Sequence, residues 1–191
     1  MEITAAHFYT FFIYLILGLY TLSLILILIY SLTQLNMLRY FLRYQKKNKA
    51  AVTLFAEDQL PKVTIQLPLY NELYVVERLL KCITALNYPL EKLQIQVLDD
   101  STDESLTLTQ KLVKSYKAKN ITIEHLHRTK REGFKAGALK EGLKSATGEF
   151  IAIFDADFLP ESDWLLKTVP HFSDAKVGVV QTRWGHLNKD Y

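Results

Sequence analysis

Residues 62–103 read KVTIQLPLYNELYVVERLLKCITALNYPLEKLQIQVLDDSTD, and the succession of patterns within them decides the fold. Val63 to Leu67 and Leu93 to Leu98 are short runs rich in Val, Ile and Leu, of the length expected for strands. Between them Leu73, Val76, Leu80 and Ile83 recur at three- and four-residue intervals, the spacing that puts side chains on one face of a helix. A strand, a helix and a second strand in so short a stretch make the unit from which parallel sheets are built.

The pattern continues downstream. Ile121 to Leu126, Phe150 to Phe154 and Val177 to Thr182 are further strand candidates. Ser101 followed three residues later by Glu104 gives a capping-box pattern for a helix carrying Leu106, Leu112, Val113 and Tyr116. Another helix is predicted over Lys135 to Ser145. The expected class is α/β, a nucleotide-binding sheet with helices packed on its faces.

Upstream the composition changes. The chain of 191 residues is 49% hydrophobic and 23% charged, and the apolar share is concentrated between Phe8 and Tyr30. As a helix that run would rise roughly 34 Å, against a hydrocarbon core of about 30 Å. Its upstream flank holds Glu2 and no Lys or Arg, and no small-residue cleavage site follows, which argues for a retained transmembrane helix over a signal peptide. Arg39, Arg43, Lys46, Lys47 and Lys49 come next, and an excess of basic residues marks the cytosolic end of a span. The expected division is a membrane anchor over 1–38, a basic juxtamembrane linker over 39–61 and a folded region over 62–191 facing the cytosol. A net charge of +3 with no basic stripe speaks against nucleic acid as a partner. The single Cys82 excludes an internal disulfide and fits a reducing compartment.

In open α/β sheets, ligands bind beyond the carboxyl ends of the strands. There the sequence places Tyr70 and Glu72 after the first strand, Asp99, Asp100 and Asp103 after the second, and Asp155 and Asp157 after the fourth. Asp155 and Asp157, two apart at the end of an extended run, are expected to point the same way, and such carboxylates repel unless a cation sits between them. A hard divalent ion, Mg²⁺ or Mn²⁺, suits that donor set and leaves coordination positions for phosphate oxygens. An Asp-x-Asp pair alone also describes a solvated turn. Asp99 and Asp100 could hydrogen-bond a base and ribose, while Asp103 is expected to cap the following helix. Lys135, flanked by Gly133 and Gly137 at a helix start, suits a phosphate, although the spacing is not that of a Walker loop.

Taken in order, Pro68-Leu69-Tyr70-Asn71-Glu72, Val97-Leu98-Asp99-Asp100-Ser101-Thr102-Asp103, Gly133-Phe134-Lys135-Ala136-Gly137-Ala138-Leu139 and Phe154-Asp155-Ala156-Asp157-Phe158 resemble the membrane-bound processive β-glycosyltransferases of the cellulose-synthase and mannan-synthase type. The resemblance covers roughly residues 62–191. It implies a GT-A fold and inverting transfer from a nucleoside-diphosphate sugar, of the UDP-glucose or GDP-mannose type, to a β-linked polysaccharide. It also implies that Tyr70 and Glu72 border the nucleoside, that Asp99 contacts the base with Asp100 as a second contact, that Lys135 binds the nucleotide or diphosphate, and that Asp155 and Asp157 hold the metal. In that family the catalytic base comes in a later motif, which would lie beyond Tyr191. Gln181-Thr182-Arg183-Trp184 has one residue too few to be the family's acceptor-side Gln-x-x-Arg-Trp, and reads as part of a strand and its end. The chain is therefore expected to be the donor-binding half of a longer enzyme, inactive alone. Two alternatives are a glycolipid-forming transferase acting on ceramide or polyprenyl phosphate, and a non-catalytic nucleotide-sugar-binding fragment.

Overall fold

The computed structural model describes residues 2–45, 55–183 and 185. Lys46, Lys47, Lys49 and Trp184 lie outside the described residues. The chain divides into two units, Met1–Ala51 and Val52–Tyr191.

The first unit is one helix, α1 (Glu2–Gln45), and its window His7–Tyr44 is apolar and long enough to cross a membrane. It contains neither proline nor an internal break, and Leu38, Tyr40, Phe41 and Leu42 carry helical, apolar character past Met37. The helix therefore runs through Arg39 and Arg43 where the sequence pattern suggests a linker. Thr21, Ser23 and Thr33 donate their hydroxyls to the carbonyls of Leu17, Leu19 and Ile29 at 2.8, 2.9 and 2.9 Å. Each of these polar side chains is thus satisfied inside the helix.

The second unit is built on four parallel strands, β1 (Val63–Leu69), β2 (Leu93–Asp99), β3 (Ile123–His127) and β4 (Phe150–Ile153), in the order β3-β2-β1-β4. The helices between them are α2 (Val76–Thr84), α3 (Glu104–Lys117) and α4 (Phe134–Leu143), followed by the short α5 (Trp164–Thr168). From β1 to β2 to β3 the chain moves outward in one direction, then returns past both to place β4 on the far side of β1. Parallel crossovers are right-handed, so this reversal puts α2 and α3 on one face of the sheet and α4 on the other.

Residue parity follows the same division. Val63, Ile65 and Leu67 of β1 pair in register with Leu93, Ile95 and Val97 of β2, and these six join Val76, Leu79, Leu80 and Ile83 of α2 and Val113 of α3 in one apolar core. The alternate residues on the same strands are polar and equally buried: Thr64, Gln66 and Gln96 are at most 1% exposed. Gln66 Nε2 donates to Gln96 Oε1 at 3.0 Å, and Gln96 Nε2 donates to Glu124 Oε1 at 3.0 Å and to Ser145 Oγ at 2.9 Å. Gln94 Nε2 donates to Glu124 Oε1 and to the Ser145 carbonyl, both at 2.9 Å, while its Oε1 accepts from Thr64 Oγ1 and the Thr147 amide, both at 2.7 Å. This amide ladder faces α4 and the turn after it. At Gly142 an added Cβ would lie 2.6 Å from Gln66 Nε2 and 2.8 Å from Leu98 Cδ2, so the absent side chain lets α4 settle onto the ladder.

In the second unit the secondary structure differs from the sequence expectation in three further places. Helix α2 begins at Val76, because the Glu72 carbonyl accepts from the amides of Val75 and Val76 in a preceding turn, and Leu73 falls in that turn. The cap that the capping-box pattern put at Ser101 is Asp103, the acid also expected to cap this helix, whose carboxylate accepts from the Ser105 amide at 3.0 Å. Ser101 is engaged elsewhere, accepting from the Asn71 amide at 2.9 Å. Finally, Val177 to Thr182 is not a strand. Strand-forming composition makes a ladder only beside a partner edge, and among the described residues this segment pairs with none; Val179 is 82% exposed.

Candidate functional site

The seam between β1 and β4 is where the winding direction reverses, the position at which doubly wound sheets open a crevice beyond their carboxyl ends. A cavity of about 270 Å³ lies there, with Tyr70 and Glu72 from the end of β1, Asp100 from β2, Asp155 from β4, and Arg131 and Lys135 from the start of α4 in its lining. A second cavity of about 310 Å³, lined by Gln94, Lys117 and residues 121–124, lies by the amino ends of β2 and β3 and gathers no comparable set of charges.

Asp99 and Asp100 part company at the end of β2. Asp99 is fully buried; its Oδ2 accepts from His125 Nε2 at 2.8 Å and its Oδ1 from the Ser101 amide at 2.9 Å. Burial pushes its carboxyl up, but the hydrogen bonds from His125 and Ser101 outweigh that and hold it below the ordinary 3.8. Both oxygens are occupied, so in this structure Asp99 braces the loop from behind and only Asp100 reaches the cavity. The brace extends to β1. Ser101 Oγ accepts from the Asn71 amide, and Asn71 Oδ1 accepts from the Thr102 amide at 3.0 Å. This stabilises Asn71 at a φ of 57°, a left-handed conformation that Asn tolerates better than most residues, and so directs Tyr70 along the cavity wall.

Asp100 is held by Arg128 through two hydrogen bonds, Nε to Oδ1 at 2.8 Å and Nη2 to Oδ2 at 2.5 Å. Arg128 also donates to the carbonyls of Glu132 and Phe134, both at 3.0 Å, which ties the loop before α4 to the end of β2. The first turn of α4 comes so close to that loop that a Cβ on Gly137 would stand 1.9 Å from the Glu132 carbonyl oxygen. Only glycine fits there. No side chain caps the start of this helix, and Lys135 in its first turn places its ammonium on the Asp155 carboxylate.

Five of the seven residues expected at the site from sequence, Tyr70, Glu72, Asp100, Lys135 and Asp155, line this one cavity. Asp99 lies behind it. Asp157 is exposed and follows Ala156 in a turn, with the Phe158 amide donating to the Asp155 carbonyl at 3.1 Å. The chain is not extended from Asp155 to Asp157, because β4 has ended at Ile153 and buried Ala156 turns inward. Among the described residues no three His, Cys, Asp or Glu side chains cluster as a metal cage. The Asp155 carboxylate nevertheless already holds one cation, the Lys135 ammonium, and a carboxylate facing the cavity fits an ion that completes its shell with water and phosphate. The sequence reading passed over Arg128, Arg131 and His125. The strand-end rule, applied to β3 as it was to its neighbours, finds the first two in His127-Arg128-Thr129-Lys130-Arg131.

Comparison with known proteins gives the following. The family model described as glycosyl transferase family 2 matches residues 64–191. A probable glucomannan 4-beta-mannosyltransferase 4 of Oryza sativa subsp. japonica is 45% identical over 135 residues, 68% of this chain and 25% of that protein. Glucomannan 4-beta-mannosyltransferase 1 of Cyamopsis tetragonoloba is 39% identical over 155 residues, 78% of this chain and 30% of that one. The chain thus spans between 25% and 30% of the length of these plant relatives. Among solved structures, mannosyltransferase PcManGT from Pyrobaculum calidifontis, in complex with GDP-Man and Mn²⁺, matches with a TM-score of 0.63 and 33% identity over 74% of this chain and 41% of that one.

Proposed function

The chain belongs to glycosyl transferase family 2, and from that premise we propose that the seam cavity binds a nucleoside-diphosphate sugar, as the donor-binding part of an enzyme that transfers the sugar with inversion to a β-linked polysaccharide. The observation that carries this is the convergence of Tyr70, Glu72, Asp100, Lys135 and Asp155 on one cavity at the switch point of the sheet. Tyr70 and Glu72 offer a ring and an acceptor to the nucleoside, and Asp100, fixed by Arg128, offers acceptor lone pairs to base or ribose. Asp99 stands behind this wall, and its nucleotide role is to keep the two loops in place. Lys135, now on the Asp155 carboxylate, would offer its ammonium to the diphosphate once a divalent ion took that carboxylate. Asp155, with Asp157 beside it in the chain, would hold that ion, whose positive charge would offset the charge developing on the departing diphosphate.

GDP-mannose is favoured as donor, because the solved neighbour at 33% identity carries GDP-Man and Mn²⁺ and the plant relatives are named as glucomannan mannosyltransferases. The same relatives favour a polysaccharide acceptor over ceramide or polyprenyl phosphate. We further read α1 as a membrane anchor, supported by its apolar length and by its internally satisfied hydroxyls. Arg39 and Arg43 at its carboxyl end support a cytosolic site.

Calorimetric titration of the detergent-solubilised chain with GDP-mannose and UDP-glucose, with Mn²⁺ present or chelated, tests the reading. Metal-dependent binding that an Asp155→Ala, Asp157→Ala variant loses is the expected result. A folded chain that binds neither donor overturns it.

A further inference from the structure

Arg128 and Arg131 stand three residues apart in the loop before α4, and their donors are used in opposite ways. Arg128 makes four hydrogen bonds, two to Asp100 and two to backbone carbonyls. Arg131 is held otherwise. Its guanidinium carbon lies 3.5 Å from the centroid of the Tyr70 ring and 5.2 Å from that of Phe134, while its Nε is 3.9 Å from Asp100 Oδ2, beyond hydrogen-bond reach. Among the described residues its side chain donates no hydrogen bond.

Contact this close over an aromatic ring uses the face of the guanidinium and leaves its in-plane N–H donors available. Asp100 Oδ2, 3.9 Å from Arg131 Nε, is too far to accept a hydrogen bond from them. Lys135, the other cation of the cavity lining, is matched by Asp155. Arg131 is therefore the lining cation whose donors have no hydrogen-bond acceptor among the described residues; ring contact with Tyr70 and a loose ion pair with Asp100 at 3.9 Å hold it in place. A planar fork of that kind fits the paired oxygens of a phosphate group.

We propose that Arg131, steadied face-on by Tyr70, binds the diphosphate of the nucleotide sugar through its free N–H edge. The proposal rests on the donor-site reading above and adds to it a residue and a division of labour: Tyr70 acts through Arg131 as a positioning residue as well as bordering the nucleoside.

The test is calorimetry on the solubilised full chain with GDP and with UDP, each beside its own nucleoside, in Mn²⁺. The proteins compared are the wild type, Arg131→Ala, Arg131→Lys and Tyr70→Leu, with a thermal melt for each. Arg131→Ala is expected to weaken nucleoside diphosphate roughly 10- to 100-fold, the effect of losing a charge-assisted pair, and to leave nucleoside affinity unchanged. Arg131→Lys keeps the charge and loses the fork, so it recovers only part of the binding. Tyr70→Leu weakens diphosphate less than Arg131→Ala does. Unchanged diphosphate affinity in Arg131→Ala, or an equal fall for diphosphate and nucleoside, overturns the proposal while leaving the donor site standing. Should Arg131→Ala fail to fold, wild-type affinity in Arg131→Lys overturns it in the same way. A wild type that binds no nucleoside diphosphate sinks the donor-site reading itself, and this proposal with it.

Discussion

Helices α2 and α4 lie on opposite faces of the same strands, one on hydrocarbon and the other on amides. Under α2 the contact is non-directional: Leu79, Leu80 and Ile83 meet Ile65, Leu67 and Val97 with no polar group between them. Such a surface stabilises in proportion to the area removed from water and tolerates small shifts. Under α4, Gln66, Gln94, Gln96 and Glu124 fix angles as well as distances, since each hydrogen bond weakens when bent. The helix that carries Lys135 is the one on the directional surface. The apolar face supplies stability, and the amide face supplies position.

Substitutions on the two faces sharpen this contrast. Leu79→Ala, at a side chain with no exposed surface, is expected to cost about 2–5 kcal/mol in denaturant unfolding, with nucleotide affinity at the seam unchanged while the protein stays folded. Gly142→Ala forces a methyl group against Gln66 and Leu98; it should cost roughly 1–3 kcal/mol and, because α4 must lift, also weaken nucleotide binding. A Gly142→Ala variant with full affinity would break the argument that the amide face sets the position of Lys135. Gln96→Leu leaves Gln66 Nε2 without its Gln96 acceptor and removes two donors from Glu124 and Ser145, at a cost of about 1–3 kcal/mol. It too should affect binding more than Leu79→Ala does at equal stability.

The smallest effect belongs to the rim of the apolar core. Tyr88 is buried and donates to the Pro61 carbonyl at 2.6 Å; burial, helped by the nearby Glu149, pushes its phenol from 10.0 up to about 12. A raised folded-state value means that the native protein keeps the proton longer than the unfolded chain. The contribution is therefore whole below pH 10 and is lost as the pH rises toward 12. Tyr88→Phe should cost about 1 kcal/mol at neutral pH and flatten the unfolding profile in that alkaline window. A profile that the substitution leaves unaltered would assign the alkaline loss to another group.

Much of this was legible in the sequence because it is local. The apolar runs that became β1, β2 and β4 and the polar residues after them need only period and length to be read; they brought four site residues to one rim, and the glycine-flanked helix start brought Lys135 as the fifth. What was hidden depends on partners distant in the chain. Asp99 and Asp100 are indistinguishable as neighbours; only the arrival of β3, with His125 and Arg128, turns one inward and leaves the other at the cavity. Val177 to Thr182 has the composition of a strand, but composition does not provide an edge to pair with. Ser101 and Asp103 both suit a helix cap, and the choice between them was made by Asn71, across the sheet. The glutamines of β1 and β2 were visible as residues but not as a ladder, because their partners lie on other strands and on the turn after α4.

The seam has a further consequence for when the site comes into being. β1 pairs with β2 across one short helix, but its pairing with β4, Val63 beside Phe150, closes the largest sequence separation in the sheet. Loop-closure entropy makes such a contact slow to form, and during synthesis β4 leaves the ribosome after the other three strands. The order β1–β2, then β3, then β4 is thus expected both in the test tube and in translation, and pulse-labelled hydrogen exchange should show the amides of Ala152 and Phe154, which face β1, gaining protection after those of Ile65 and Val97. A chain assembled in this order has its hydrophobic core well before it has a place for a nucleotide, and ligand present early can favour only the last step of maturation.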